Sequence, residues 1–91
     1  MKNDHEILEQ SKSVESFIGV IIPVEWDEDG NITAIAIATE DEKEHRISYA
    51  NRKGKAIRKL LRKRVRIKGE IEPSPQPRHQ AVLLVESFKL L

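Results

Sequence analysis

Alternation of apolar and polar positions dominates the chain from residue 15 onward and predicts β-strands. A strand over Glu15–Trp26, the turn signal Asp27–Asn31 and a strand over Ile32–Thr39 together indicate a hairpin. One parity of the first strand is apolar throughout, and we assign it to an inner face: Ile18, Val20, Ile22, Val24 and Trp26. Gly19 interrupts the other parity, which is typical of a bend in a small barrel. We expect Trp26 to anchor the edge of the core, the alternative being a stacking residue at the rim.

Further along the chain, the spacing of apolar residues changes from strand to helix and back to strand. Asn51 can cap a helix, while Gly54 weakens its first turn. Tyr49 shares the parity of Ile47 and is expected inside. The predicted elements are a strand over Glu44–Ala50, an amphipathic helix over Lys55–Lys63, and strands over Arg64–Glu72 and Ala81–Leu91.

This order of three strands, one helix and two strands resembles the OB-fold, the oligonucleotide- and oligosaccharide-binding barrel. The segment Leu60–Ile71 is similar to the passage from helix to fourth strand in OB domains, where a leucine-bearing helix precedes a basic turn and a glycine-containing strand. The resemblance implies a mainly β protein with a five-stranded OB-type barrel over residues 14–91. Residues 1–13 are interpreted as a tail or a short helix.

The length of 91 residues corresponds to one domain with a modest core. The chain contains no cysteine, which excludes a disulfide framework and fits a reducing compartment. The longest apolar run, Phe17–Val24, is far shorter than the ~20 residues that cross a bilayer. The first residues are polar and lack an apolar signal segment. We therefore expect a cytoplasmic protein without a membrane partner.

Charge divides the chain into an acidic half and a basic half. Residues 1–50 carry a net charge of −8 and residues 51–91 a net charge of +9, although the whole chain has only +1. The segment Arg52–Lys68 contains ten Lys or Arg and no acid. Such a concentration favours a polyanionic partner, because each cation that neutralises a phosphate releases counterions. The candidate nucleic-acid-binding residues are Arg52, Lys53, Lys55, Arg58, Lys59, Arg62, Lys63, Arg64, Arg66, Lys68 and Arg78.

The usual ligand face of OB domains lies on strands 2 and 3 and stacks bases on aromatic side chains. Strand 2 of this chain has no aromatic residue and offers alanine at 34, 36 and 38. The loop after strand 1 is acidic and would repel phosphate. We therefore expect single-stranded nucleic acid or RNA to contact the helix and strand 4, through phosphates and with weak sequence preference.

A second interpretation is a protein-interaction or self-assembly module. The acidic half of one copy can meet the basic half of another, which would give a homodimer. The apolar surface of strand 2 can also be covered by Ile7 and Leu8 of the N-terminal segment, or by a partner chain. A solvated charged surface and tolerably exposed alanines are the alternatives to both interpretations.

Motifs of catalysis and metal binding are not evident. The residues Glu25, Asp27 and Asp29 superficially resemble the start of a calcium loop, but Ala36 stands where the bidentate acid is required. His5, His45 and His79 are not spaced as a metal pair. The sequence holds no glycine-rich phosphate loop and no nucleophile elbow. We therefore expect a binding module that is not an enzyme and that needs neither a metal nor a cofactor.

Overall fold

The structure is a computed structural model that describes residues 14–73 and 81–91. These residues form five strands and one short helix. The strands are β1 (Glu15–Trp26), β2 (Ile32–Thr39), β3 (Glu44–Ile47), β4 (Arg64–Glu72) and β5 (Val82–Leu90). Helix α1 (Arg52–Ile57) lies between β3 and β4 and continues into a 3₁₀ turn (Arg58–Leu60). The predicted element order and the predicted bounds of β1, β2 and β4 are confirmed. The predicted tail at 1–13 and Arg78 lie outside the described residues.

The strands hydrogen-bond in a closed ring in the order β1-β2-β3-β5-β4. All neighbouring pairs are antiparallel except β3 and β5, which are parallel. The ring closes because β1 is long enough to pair twice: residues 15–20 pair with β4, and residues 19–26 pair with β2. Closure leaves fewer unpaired backbone groups than an open sheet would.

The predicted inner face of β1 is wrong by one residue. Phe17 and Ile21 are the buried side chains, whereas Val20 is 37% exposed and Trp26 is 57% exposed. The reason is Gly19, which also points inward at the place where β1 pairs with both β2 and β4. A Cβ there would lie 2.1 Å from the carbonyl oxygen of Ala38. Parity counting treats this glycine as an interruption of its row, although the close backbone approach makes it part of the inner row between Phe17 and Ile21. The expected core position of Trp26 is also wrong, because the β1–β2 register shifts between Pro23 and Trp26 and the simple alternation of β1 does not reach that residue.

The core is built mainly from branched aliphatic residues, together with Phe17, and all five strands and α1 contribute to it. Strand β2 supplies Ile35 and Ile37, and helix α1 closes one opening of the ring with the fully buried Ile57. The remaining buried members are Phe17, Ile21, Ile47, Val65, Ile67, Leu83 and Val85. Because β4 alternates these buried residues with charged ones, its basic side chains are directed outward.

The third strand ends earlier than predicted, at Ile47 instead of Ala50. The chain leaves the sheet at Ser48, whose backbone N–H donates to the carbonyl of Leu83 at 2.9 Å and whose hydroxyl accepts from the backbone N–H of Ala50 at 3.1 Å. Tyr49 therefore lies beyond β3, although its ring packs against the core as expected.

The helix begins earlier and ends earlier than predicted, because its start is tied to two neighbouring segments. The Asn51 side chain is the predicted N-cap: its Oδ1 accepts from the backbone N–H of Gly54, and its Nδ2 donates to the carbonyl of Val85, each at 2.9 Å. A Cβ on Gly54 would lie 1.9 Å from the carbonyl oxygen of Ser48. The glycine is thus required for the contact between the first helical turn and the preceding chain.

Candidate functional site

Six basic side chains follow β1 in chain order, and we call them the β1 track. Five of them belong to the segment that pairs with β1 on its β4 side, and the sixth, Arg58, reaches β2 at the end of β1. Strand register places the first three: Lys68 faces Ser16, Arg66 faces Ile18 and Arg64 faces Val20. Paired residues of neighbouring strands share one face of a sheet, so these cations line the outer surface beside β1. All six members of the track are exposed: Arg58, Arg62, Lys63, Arg64, Arg66 and Lys68.

The turn between the 3₁₀ segment and β4 continues the track along β1. The backbone N–H of Arg62 donates to the carbonyl of Ile21 at 2.7 Å, and the carbonyl of Lys63 accepts from the backbone N–H of Ile21 at 3.1 Å. These two hydrogen bonds extend the β1–β4 ladder beyond the regular strand. Arg62 and Lys63 therefore follow Arg64 without a break in position along β1.

Arg58 ends the track near the last residue of β1. Its Nη2 donates to the carbonyl of Ile32 at 2.8 Å, and Ile32 is the cross-strand partner of Trp26. The track therefore accompanies β1 from Ser16 to Trp26, which corresponds to roughly 33 Å of extended strand.

Lys89 of β5 flanks the track and was not among the residues predicted from sequence. Strand register places Lys89 opposite Arg66 and places Ser87 opposite Lys68. These four residues and Phe88 line an open groove of about 300 Å³. Like charges directly opposite each other in a sheet destabilise it, and an anion bound between them would relieve the repulsion. Lys89 is an isolated cation in the sequence, and only the β4–β5 register reveals its neighbours.

Few carboxylates neutralise the track. Among the residues that the structure describes, Arg64 is the one track member with an ion pair, its guanidinium lying 3.3 Å from Glu40. Both partners are more than half exposed, so this pair adds little stability and competes weakly with an incoming anion. The positive potential of the track is therefore largely available to a ligand.

The remaining predicted cations do not join the track. Arg52 and Lys53 line a different groove, of about 430 Å³, against residues 84–86 of β5. The Lys53 ammonium donates to the carbonyl of Glu86 at 2.6 Å. Lys55 and Lys59 are exposed on α1 and on the 3₁₀ turn. The structure thus separates the eleven sequence candidates into six on the track, four elsewhere on the helical segment, and Arg78 outside the described residues.

An acidic groove of about 420 Å³ lies at the start of β1 and the turn between β2 and β3. Glu15, Glu40 and Asp41 line it together with one cation, Lys43, which lies 4.0 Å from Asp41. His45 packs its ring against Phe17 with 4.9 Å between the ring centroids. A hydrogen bond from the Thr39 hydroxyl lowers the pKa of Asp41. This groove therefore keeps its negative charge at neutral pH and does not suit a phosphate.

The track can bind anions through guanidinium and ammonium donors placed along one line. In the part of the chain that the structure describes, no group of three or more His, Cys, Asp or Glu side chains could hold a metal ion. No helix there has the length and apolar content of a membrane span. No family model, no curated protein and no solved structure matches this chain.

Proposed function

We propose that the protein is a non-enzymatic module that binds single-stranded nucleic acid, RNA included, on the β1 track. The observation that carries the proposal is the succession of five exposed cations on the β4 side of β1, with Arg58 at the end of the strand and Lys89 at their side. A linear polyanion matches a line of cations better than a small compact anion does. Contacts to phosphate fix the position of the strand but do not read its bases, so sequence preference is expected to be weak.

The proposed fold is an OB-type barrel. Its support is the closed ring β1-β2-β3-β5-β4 with α1 between β3 and β4. Proteins with OB barrels bind single strands of ~4–16 nucleotides per barrel along a positively charged groove. Because a fold does not determine a function, the proposal depends on the track and not on this likeness.

The dimensions of the helix favour a single strand over a duplex. Helix α1 has six residues, which corresponds to a length of about 9 Å. Proteins that read duplex DNA usually insert a longer helix or a two-stranded ribbon into the major groove. The cations of this protein lie instead on the curved outer surface of a closed sheet, where a flexible strand can follow them.

Fluorescence anisotropy of a labelled oligonucleotide, titrated at several salt concentrations, tests the proposal. Contacts from the six track cations and from Lys89 predict that log K falls against log[salt] with a slope of about −5, since each contact on a single strand contributes about −0.7. The double variant Arg66→Gln, Lys68→Gln should make the slope shallower by about 1.4. Lys55→Gln, at an exposed lysine of α1 that does not belong to the track, should leave the slope unchanged. Absence of binding tighter than ~100 μM to any strand at low salt would contradict the proposal.

A second candidate is a self-assembly module, which the acidic groove favours. Glu15, Glu40 and Asp41 line a concave surface whose charge complements the β1 track of another copy. Light scattering at low and high salt tests this candidate after nuclease treatment. A dimer that persists without nucleic acid and dissociates in salt supports self-assembly, whereas a monomer under all conditions excludes it.

A further inference from the structure

The most exposed large apolar side chain among the described residues is Trp26, which has 57% of its surface accessible. It is also the only tryptophan of the chain. Burial of a tryptophan ring stabilises a protein core strongly, so a ring left in solvent forgoes that contribution. Trp26 is therefore placed where its ring can contact something other than the core.

The position of Trp26 relates it directly to the β1 track. Trp26 pairs with Ile32 across the β1–β2 hairpin, and the carbonyl of Ile32 accepts the hydrogen bond from Arg58 at 2.8 Å. This bond uses one of the five N–H donors of the guanidinium, so others remain for a ligand. The exposed Trp26 and the last cation of the track thus share Ile32 as a direct neighbour.

We propose that Trp26 stacks on an unpaired nucleobase of the strand whose phosphates lie on the β1 track, and that Arg58 binds a phosphate next to that base. The inference rests on the proposed function and adds a base contact to it. Stacking on an aromatic ring tolerates every base, because each base has a π-face. The subsite would therefore increase affinity for single strands without creating a sequence code.

The turn that follows Trp26 explains why a base and not a phosphate would occupy this end. Asp27 accepts hydrogen bonds from the backbone N–H groups of Asp29 and Asn31, each at 2.9 Å. The hydrogen bond from Asn31 is the main reason that the pKa of Asp27 is lowered, so the carboxylate stays charged at neutral pH. Together with Glu28 and Asp29 it repels phosphates beyond Trp26. The path of the strand backbone would therefore end at Arg58, with the terminal base turned toward Trp26.

The intrinsic fluorescence of the single tryptophan gives a direct test. Wild-type protein is titrated with oligothymidylate and with an abasic deoxyribose-phosphate strand of equal length, while anisotropy of a label on each strand measures binding. We expect oligothymidylate to quench Trp26 and the abasic strand to bind without quenching. Trp26→Ala should weaken oligothymidylate binding about tenfold, Trp26→Phe less, and neither should change the affinity for the abasic strand. Val14→Ala, an exposed apolar residue before β1, is the matched control with no expected effect.

The outcomes separate the inference from the proposed function. Salt-dependent binding of both strands with equal affinity and no quenching would overturn stacking at Trp26 and leave the proposed function standing. Absence of binding to either strand at low salt would overturn both. Quenching together with an affinity loss limited to the base-bearing strand supports the inference. If Trp26→Ala does not fold, as judged by circular dichroism, the inference is tested by the quenching of wild-type fluorescence with the two strands and by the affinity of Trp26→Phe for them.

Discussion

The guanidinium of Arg46 on β3 and the carboxylate of Glu25 on β1 meet at 2.9 Å, although β2 lies between their strands. Their cross-strand neighbours on β2 are Ala36 and Ala34. Strands two places apart are separated by about 9.5 Å, so the ion pair must pass over β2. Only short side chains leave that path open, which explains the alanines of β2. The pair also explains why Ala36 is fully buried on the face opposite the core.

Breaking this ion pair should destabilise the protein modestly. The side chain of Arg46 is 29% exposed and that of Glu25 is 55% exposed, so the charges are only partly screened. We expect Arg46→Ala to lower the free energy of unfolding by about 1 kcal/mol, because it also removes the aliphatic stem that covers Ala36. Glu25→Gln should have a smaller effect. Urea unfolding of both variants and of the double variant measures the coupling, and strictly additive effects would show that the two side chains do not interact.

Substitution of Gly54 by alanine should destabilise the protein, although alanine has a higher helix propensity than glycine. Alanine in place of glycine normally stabilises a helix interior by about 1 kcal/mol. The added Cβ would, however, lie 1.9 Å from the backbone oxygen of Ser48, and backbone does not yield easily. Gly54→Ala is therefore expected to lower the free energy of unfolding by about 2 kcal/mol. Lys55→Ala, in the same helix and exposed, serves as the control and should be neutral or slightly stabilising; stabilisation by Gly54→Ala would contradict the close contact.

Two replacements of Asn51 should distinguish the contributions of its two side-chain hydrogen bonds to stability. Asn51→Asp keeps the oxygen that caps Gly54 but loses the donor to the carbonyl of Val85, and we expect a cost of about 1 kcal/mol. Asn51→Ala loses both bonds and should cost about 2 kcal/mol. Hydrogen exchange of the Gly54 amide should stay slow in the first variant and become fast in the second. Equal exchange in the two variants would show that the cap is not the source of protection.

Lys89 should affect stability and binding in opposite directions. Lys89→Gln removes the like-charge contact with Arg66 and is expected to stabilise the unliganded protein by about 0.5 kcal/mol. The same substitution removes one cation from the groove, so the salt dependence of oligonucleotide binding should weaken by about 0.7 in slope. Thermal unfolding and anisotropy on the same preparations measure both effects. If Lys89→Gln is less stable than the wild type and binds the oligonucleotide normally, Lys89 does not belong to the site.

Acid should weaken the β1–β2 hairpin through Asp27. Hydrogen bonds from Asn31 and Asp29 favour the charged carboxylate, which lowers its folded-state pKa below 3.8, the value of a free aspartate side chain. A lowered folded-state pKa contributes stability above the unfolded-state pKa, and the contribution is lost as the pH falls through the folded-state value. An NMR titration should therefore find Asp27 titrating below 3.8. The stability of Asp27→Asn should vary less with pH than that of the wild type between about pH 5 and pH 2; parallel curves would contradict the assignment.

The features predicted correctly from the sequence are local ones. Apolar alternation bounded by polar turns located β1, β2 and β4 to the residue, because each signal lies within a dozen consecutive positions. The capping role of Asn51 was predicted for the same reason, since a cap contacts the first turn of its own helix. The density of cations in residues 52–68 was likewise evident from composition alone.

The features that were missed depend on contacts between distant segments. The inner face of β1 was assigned to the wrong parity, because the inward position of Gly19 follows from the backbone of Ala38, which belongs to another strand. The alternation of β1 likewise gave no indication of the register shifts between Pro23 and Trp26, beyond which Trp26 is exposed. The basic segment was predicted as a binding surface. Only pairing with β1 placed five of its cations along that strand, and only tertiary contacts brought Arg58 to β2 and left Arg52 and Lys53 beside β5. Lys89, near the end of the chain, lies opposite Arg66 of the β1 track. This neighbour was missed because cross-strand register is a property of the assembled sheet and not of any one segment.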